Sequence, residues 1–212
     1  MRLFFVRHGK TQWNLEGRFQ GSKGDSPLLE ESVENLKKLG HYLSAIHFDK
    51  VYTSDLKRAR DTAMLVMEAN QNPTEITIAK PLREWNLGRL EGQKISTIAS
   101  IYPKQMEAFR YNLAKFDNDF FEAESVYHAT RRVAKFVASL DYEHDQNVLL
   151  VGHGACFTAA TNYLLGFESG QLRRQGGLDN GSVTILESSD GKHFNLIRWN
   201  DISYMEEQEQ LS

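Results

Sequence analysis

The sequence predicts a three-layer α/β/α sandwich built on a mostly parallel central sheet. Two continuous apolar runs, residues 3–6 and 148–151, resemble strands that are buried on both faces. Between and after these runs, amphipathic helical stretches alternate with short β-branched segments, a pattern that favours parallel strands covered by helices. The composition, 41% hydrophobic and 25% charged, is that of a globular chain.

The first half of the chain is predicted to supply three strands and two helices. Residues 17–27 are rich in Gly, Ser and Asp and form a loop. Apolar residues recur at helical spacing over 33–43 and 56–67, and Ser54 is expected to cap the second of these helices. The predicted strands are residues 3–6, 48–52 and 76–78.

The second half is predicted to begin with a mostly helical stretch, residues 94–140, that is interrupted at Pro103. Its aromatic residues either pack in a core or form a lid over a site, and we regard the segment around 94–124 as an insert. The remaining elements are the strand at 148–151, a helix at 155–165 and two hairpin strands at 183–186 and 194–197. We therefore expect one domain over residues 1–205 and a polar tail over 206–212.

Composition excludes several classes of protein. The formal net charge is −3 with no basic stripe, so a nucleic-acid partner is not expected. No apolar window is long enough to span a membrane, and a cytoplasmic location is the default. A single cysteine, Cys156, excludes a disulfide framework, and no metal-binding motif is present, so we expect no metal and no cofactor. The sequence does not predict an oligomeric state.

Charged and polar residues follow the predicted strands where parallel strands usually present a ligand site. Arg7 and His8 follow the first strand, and Ser54 and Arg58 follow the second. Glu84 comes after the third strand and His153 after the fourth. We therefore expect two histidines, two arginines and one acid at the same edge of the sheet.

This set of residues suits phosphoryl transfer without a metal. Guanidinium groups such as Arg7 and Arg58 match phosphoryl oxygens, and a neutral imidazole is a nucleophile near pH 7. A second imidazole can stabilise charge on the phosphoryl group, and a carboxylic acid such as Glu84 can protonate the leaving oxygen. Amides at the start of the helix after Asp55 could add donors. From the residues alone, Glu91 competes with Glu84 for the acid role.

The same residues lie in motifs that resemble the histidine phosphatase superfamily, whose members share a phosphoglycerate mutase-like fold. The motifs appear in the family's order over most of the chain, as Arg7-His8-Gly9-Lys10-Thr11-Gln12-Trp13-Asn14, Gly17-Arg18-Phe19-Gln20-Gly21, Thr53-Ser54-Asp55-Leu56-Lys57-Arg58, Leu82-Arg83-Glu84-Trp85-Asn86-Leu87-Gly88 and Val151-Gly152-His153-Gly154.

The resemblance implies roles for individual residues. It makes His8 the nucleophile of a phosphohistidine intermediate, Glu84 rather than Glu91 the proton donor, and Arg7, Arg58 and His153 the phosphate pocket. Asn14, Gln20 and Gly21 match positions on the phosphate or substrate side. The expected activity is metal-independent hydrolysis of a small phosphorylated metabolite.

Departures from the family pattern favour its broad-specificity phosphatase branch. Mutases follow the catalytic acid with Arg and then Tyr, where this chain has Trp85 and Leu87, and they carry an Arg-Arg pair that residues 94–124 lack. Trp85 and Leu87 favour a less charged leaving group. Lys10 replaces an acid or amide and adds charge near the pocket. Two alternatives stay open, a cofactor-dependent phosphoglycerate mutase and a non-catalytic phospholigand-binding protein.

Overall fold

A six-stranded sheet forms the centre of the molecule in the computed structural model, which describes residues 1–205. The strands are β1 (Arg2–Arg7), β2 (Lys50–Thr53), β3 (Ile76–Ile78), β4 (Asn147–Gly152), β5 (Val183–Glu187) and β6 (Asn195–Asp201). Their order in the sheet is β3-β2-β4-β1-β5-β6; β1 to β4 are parallel, and β5 pairs antiparallel with both β1 and β6. The prediction of a mostly parallel sheet is therefore confirmed.

Helices cover both faces of the sheet, which confirms the three layers. Alternate residues of β1 point to opposite faces, as the pleat of a strand requires. The helices are α1 (Gln12–Leu15), α2 (Glu30–Tyr42), α3 (Lys57–Glu68), α4 (Ile95–Ile101), α5 (Pro103–Tyr111), α6 (Val126–Ala138) and α7 (Gly154–Leu164). Phe4 and Val6 pack against α2 and α3, and Leu3 and Phe5 pack against α6 and α7 on the opposite face.

The segment around 94–124 contains α4, α5 and short 3-10 turns. Phe116 and Phe121 are buried in a third apolar cluster together with Trp85, whereas Tyr111 is 69% exposed. Pro103 is the first residue of α5, so the expected interruption is present. Part of the aromatic set is therefore core, and Phe109 contributes to a cavity described below.

Some local expectations differ from the structure. Helix α3 begins at Lys57 with Leu56 as its N-cap, so Ser54 is not the cap; its hydroxyl instead contacts His153. Strand β2 covers Lys50–Thr53 rather than 48–52, and β6 extends to Asp201. The expected polar tail, 206–212, lies outside the described residues. None of the helices over residues 1–205 is long and apolar enough to cross a membrane.

Candidate active site

Strands β1 and β4 place two histidines side by side. The strands are parallel neighbours, and Arg7 is in register with Gly152, so the next residue of each strand leaves the sheet at the same edge. The ring centroids of His8 and His153 are 5.2 Å apart, with the planes inclined by 61°. The strand-end rule thus brings together two of the residues that the sequence singled out.

His8 is held in one tautomer and orientation. Its Nδ1 lies 2.7 Å from the Gly9 carbonyl, which only accepts, so Nδ1 carries the proton. Nε2 is then the basic nitrogen, and it accepts a hydrogen bond from Arg58 Nε at 3.2 Å. Burial, followed by the charges of Arg58 and Arg7, holds the pKa of His8 well below its usual value. The imidazole is therefore neutral at pH 7.

Arg58 is anchored by the loop over residues 17–27. The side chain is buried, and its guanidinium donates to the carbonyls of Gly21 and Gly24 at 2.9 and 2.6 Å and to Asp25 Oδ1 at 3.1 Å. Asp25 also accepts from the backbone N–H groups of Lys57 and Arg58. The amides that open α3, expected to serve as phosphate donors, are consequently occupied by Asp25.

His153 lies behind His8 and is fully buried. Its Nε2 is 2.7 Å from Ser54 Oγ, while its Nδ1 has no hydrogen-bond partner among residues 1–205. Burial and then the charges of Arg58 and His8 lower its pKa well below the usual value. Ser54 Oγ accepts from the Leu56 amide, and its own hydrogen can be donated to His153 Nε2. With that donation, the proton of a neutral His153 is on Nδ1.

The side chain of Arg7 passes Gly154, the first residue of α7, and reaches the cavity around His8. Its Nη1 donates to the Leu178 carbonyl, and its Nε is buried without a partner among the described residues. Gly154 permits this path, because a Cβ at that position would lie 2.8 Å from Arg7 Nε. The glycine after His153 therefore makes room for the guanidinium of Arg7.

Glu84 sits against the first turn of α7. Its Oε1 accepts from the N–H groups of Trp85 and Cys156, each at 2.9 Å, and its Oε2 accepts from Ala155 N–H at 3.1 Å. Arg132 fixes the backbone that presents this carboxyl, since its guanidinium donates to the Glu84 carbonyl at 3.1 Å and pairs with Glu124 at 2.9 Å.

Glu91, the competing acid, has a different environment. Its two carboxylate oxygens accept from four backbone N–H groups at 2.8 to 3.2 Å. It is not among the residues that line the cavity around His8. The donors are the amides of Ser22, Lys23, Gly24 and Leu87, so Glu91 ties the loop over 17–27 to the segment after Glu84.

A cavity of about 210 Å³ collects most of the predicted site residues. His153 does not line this cavity. Four arginines line it, together with a single carboxylate, that of Glu84. The predicted residues among its walls are Arg7, His8, Asn14, Gln20, Gly21, Arg58 and Glu84, and Leu87, Phe109, Thr158, Arg18 and Arg173 are among the others. The surplus of positive charge suits an anionic ligand.

The three residues expected on the substrate side make loop contacts of their own. Asn14 Oδ1 accepts from Thr11 Oγ1 at 2.9 Å and from Asn180 Nδ2 at 3.3 Å. Gln20 Nε2 donates to Thr11 Oγ1 at 2.6 Å. The side-chain amide of Gln20, expected on the substrate side, therefore makes a hydrogen bond within the protein. Gly21 contributes its carbonyl to Arg58, and its φ of +63° is a conformation that favours glycine.

Several expectations from the sequence need correction or addition. Lys10 is exposed and lines a neighbouring cavity rather than the one around His8. Trp85 is fully buried, donates to the Glu124 carbonyl and does not line the site. Sequence reasoning missed Asp25, Arg132 and Arg173, which lie outside the motifs that carry the family resemblance.

A larger cavity lies elsewhere. It has a volume of about 480 Å³ and is bounded by α6, the end of α7 and the loop near Phe194. It contains none of the residues expected from the strand ends. We place the candidate site at the smaller cavity, because a neutral imidazole, guanidinium groups and a carboxyl converge there. Over residues 1–205, no group of three or more His, Cys, Asp or Glu is arranged to hold a metal ion.

The buried histidines predict a pH dependence of stability. Both folded-state pKa values are depressed, so below about pH 6.5 the unfolded chain takes up protons that the native state does not, and stability falls. Each histidine contributes up to about 1.4 kcal/mol per pH unit there. We expect His8→Asn to show a shallower decline than wild type between pH 6.5 and 5, by about 1 kcal/mol per unit. Urea unfolding at stepped pH measures both slopes; equal slopes would contradict the assignment.

Comparison with known proteins agrees with this geometry. The family model of the histidine phosphatase superfamily (branch 1) matches residues 3–202. A broad-specificity phosphatase of Saccharomyces cerevisiae is 35% identical over 198 residues, 92% of this chain and 83% of the relative. A probable phosphoglycerate mutase of Citrobacter koseri is 31% identical over 177 residues, 82% of this chain and 79% of the relative.

A solved structure extends the similarity to the fold. The mycobacterial glucosyl-3-phosphoglycerate phosphatase, in its complex with VO3, has a TM-score of 0.84 at 28% identity, covering 94% of this chain and 98% of that one. The match of nearly the whole chain, together with the strand-end histidines, confirms the family that the motifs indicated. This chain belongs to the histidine phosphatase superfamily.

Proposed function

We propose that this protein hydrolyses phosphomonoesters without a metal, through a phosphohistidine formed on His8. The observation that carries the proposal is the state of His8. Its Nδ1 is fixed by the Gly9 carbonyl, its Nε2 is unprotonated beside Arg58, and its pKa is held low by burial and by the charges of Arg58 and Arg7. A neutral imidazole with its reactive nitrogen among cations is suited to attack an anionic phosphoryl group.

In the first step, His8 Nε2 attacks phosphorus and the bond to the ester oxygen breaks. Glu84, in its protonated form, gives its proton to that oxygen, so a neutral alcohol leaves. The guanidinium groups of Arg7 and Arg58 balance the phosphoryl charge, since Arg7 Nε has no acceptor among residues 1–205 and Arg58 already donates to the attacking nitrogen. His153 Nδ1–H supplies a further donor from behind His8.

In the second step, water attacks the phosphohistidine. The Glu84 carboxylate takes a proton from the water, the P–N bond breaks, and His8 returns to its neutral form with phosphate as product. The three backbone N–H groups on Glu84 keep the carboxyl in one place through both steps. Asn14, Gln20 and Gly21 line the cavity, and in this proposal they shape the phosphate side.

Phosphoglycerate mutase activity is the second candidate, favoured by the probable mutase among the relatives. A mutase must retain the dephosphorylated product and return the phosphoryl group before water reacts. Where mutases have Arg and Tyr after the catalytic acid, this chain has Trp85 and Leu87. Trp85 is buried outside the cavity, and Leu87 lines it. These features support hydrolysis over intramolecular transfer.

The test compares both activities on one preparation. With EDTA present, we expect phosphate release from several monoesters and at most weak interconversion of 3- and 2-phosphoglycerate, with 2,3-bisphosphoglycerate supplied. The loss of activity in EDTA, with recovery on added Mg²⁺ or Zn²⁺, would contradict metal independence. A mutase rate about 100-fold above the best hydrolase rate, about 2.7 kcal/mol in barrier, would assign the protein to the mutases instead.

The remaining expectations belong to the same proposal. A small phosphorylated metabolite as substrate is supported by the volume of about 210 Å³, below the 300 to 1,000 Å³ of drug-sized pockets. The net charge of −3 supports a protein without a nucleic-acid partner, and we propose a cytoplasmic location. We also propose that residues 1–205 fold as one domain with 94–124 as its insert.

A further inference from the structure

One of the four arginines that line the cavity has no role in the proposed reaction. Arg7 and Arg58 serve the phosphoryl group, and Arg18 is held by Glu16 at 2.5 Å and by the Gly92 carbonyl at 2.8 Å. Arg173 remains. Its Nε and Nη2 are buried, yet within residues 1–205 neither has a hydrogen-bond partner. Buried donors of a charged group are normally satisfied, so Arg173 has donors available for an acceptor beyond the described residues, such as a bound ligand.

The side chain of Arg173 is nevertheless positioned by its surroundings. Leu172, the preceding residue, is buried in the third apolar cluster. The guanidinium lies over the Phe109 ring, with its central carbon 4.9 Å from the ring centroid. Burial lowers the pKa of Arg173 to about 10, so the group is still a cation at pH 7. The result is a pre-oriented guanidinium fork with free donors at the wall of the site.

Arg173 is also on the side of the cavity where a leaving group belongs. Its guanidinium covers the Phe109 ring, whose centroid lies 5.7 Å from that of Trp85, the residue after Glu84, and Arg173 and Glu84 line the same small cavity. In the proposed reaction Glu84 meets the ester oxygen of the leaving group. A ligand group that reaches Arg173 is therefore carried by the alcohol portion of the substrate rather than by the transferred phosphoryl group.

Resting on the proposed hydrolase function, we infer that Arg173 binds a second anionic group, a carboxylate or a further phosphate, on the leaving-group portion of the substrate. Both anions present oxygens that match a guanidinium fork. The substrate class is then compact phosphomonoesters with two anionic groups. The expectation of a less charged leaving group rested on Trp85 and Leu87, and the cation at Arg173 argues against it.

Two matched substrate pairs test the inference. 3-Phosphoglycerate and glycerol 3-phosphate differ by a carboxylate in place of a hydroxymethyl group; fructose 1,6-bisphosphate and fructose 6-phosphate differ by a second phosphate. We expect kcat/KM of the wild type to favour the doubly anionic member of at least one pair by about tenfold or more, and the preferred pair identifies the anion. Arg173→Met should abolish that preference, because kcat/KM should fall about tenfold or more further for the doubly anionic member than for the singly charged member.

Arg174→Met is the matched control, because the Arg174 guanidinium lies over Phe167 and does not line the cavity. It should keep the wild-type preference. If Arg173→Met does not fold, as judged by circular dichroism, Arg173→Lys replaces it and should retain only part of the preference, since an ammonium lacks the planar fork. A wild type without preference, or an equal loss on both members of a pair, would overturn the inference while hydrolysis stands. If neither member of either pair releases phosphate, the proposed function itself fails.

Discussion

Replacement of His8 by alanine should reduce turnover more than about 1000-fold on every monoester. Without the nucleophile, only binding and electrostatic stabilisation are left, and neither forms the P–N bond. The change also removes the acceptor of Arg58 Nε, but Arg58 keeps its contacts with Gly21, Gly24 and Asp25. The phosphate pocket should therefore survive in the variant. Phosphate release at saturating p-nitrophenyl phosphate measures the effect.

A trapping experiment identifies the intermediate directly. Rapid quenching with labelled substrate should leave a phosphoenzyme that is labile in acid and stable in base, as expected for phosphorus bound to imidazole nitrogen, and His8→Ala should give none. His41→Ala is the control, because His41 is exposed on α2 and outside the cavity. An acid-stable adduct, or a His8→Ala protein with near wild-type turnover, would exclude His8 as the nucleophile.

The sequence predicted those parts of the site that depend on sheet topology. Continuous apolar runs identified β1 and β4 as buried strands, and the parallel order then requires that the residues after them meet. His8 and His153 are adjacent for that reason. Strand β2 pairs with β4 on the side opposite to β1. Helix α3 follows β2, so Arg58 in its first turn reaches the same edge of the sheet as the two histidines.

Contacts made by loops were not predictable in the same way. Asp25 reaches Arg58 across 33 positions, and Arg132 reaches the Glu84 carbonyl across 48. No local periodicity encodes such pairs, because they depend on how loops lie over the sheet edge. Ser54 shows the same limit. Its type and position predicted a helix cap, but its hydroxyl lies against His153, and the helix begins three residues later at Lys57.

The role of Glu84 can be separated from that of Glu91 by the dependence on the leaving group. A p-nitrophenolate leaving group is a weak base and needs little protonation, whereas an alkoxide needs a proton as its bond to phosphorus breaks. Glu84→Gln should therefore reduce kcat/KM on glycerol phosphate by about 100- to 1000-fold and on p-nitrophenyl phosphate by about tenfold or less. The ratio kcat/KM is used because it reports the first step alone, before Glu84 acts as a base toward water. The amide keeps one carbonyl oxygen for the Trp85 and Cys156 donors and loses the acceptor for Ala155 N–H, a cost of about 1 kcal/mol in stability.

Glu91→Gln provides the contrast. Its carboxylate accepts from four backbone amides that position the loop holding Arg58, so the substitution should lower stability and reduce the rates on both substrates by the same factor. Values of kcat/KM on the two substrates, with urea unfolding of each variant, distinguish the acids. An equal loss on both substrates in Glu84→Gln would contradict its role as proton donor. If only Glu91→Gln showed a loss that depends on the leaving group, Glu91 would be the proton donor instead. The four amides that bind its carboxylate and its absence from the cavity wall argue against that assignment.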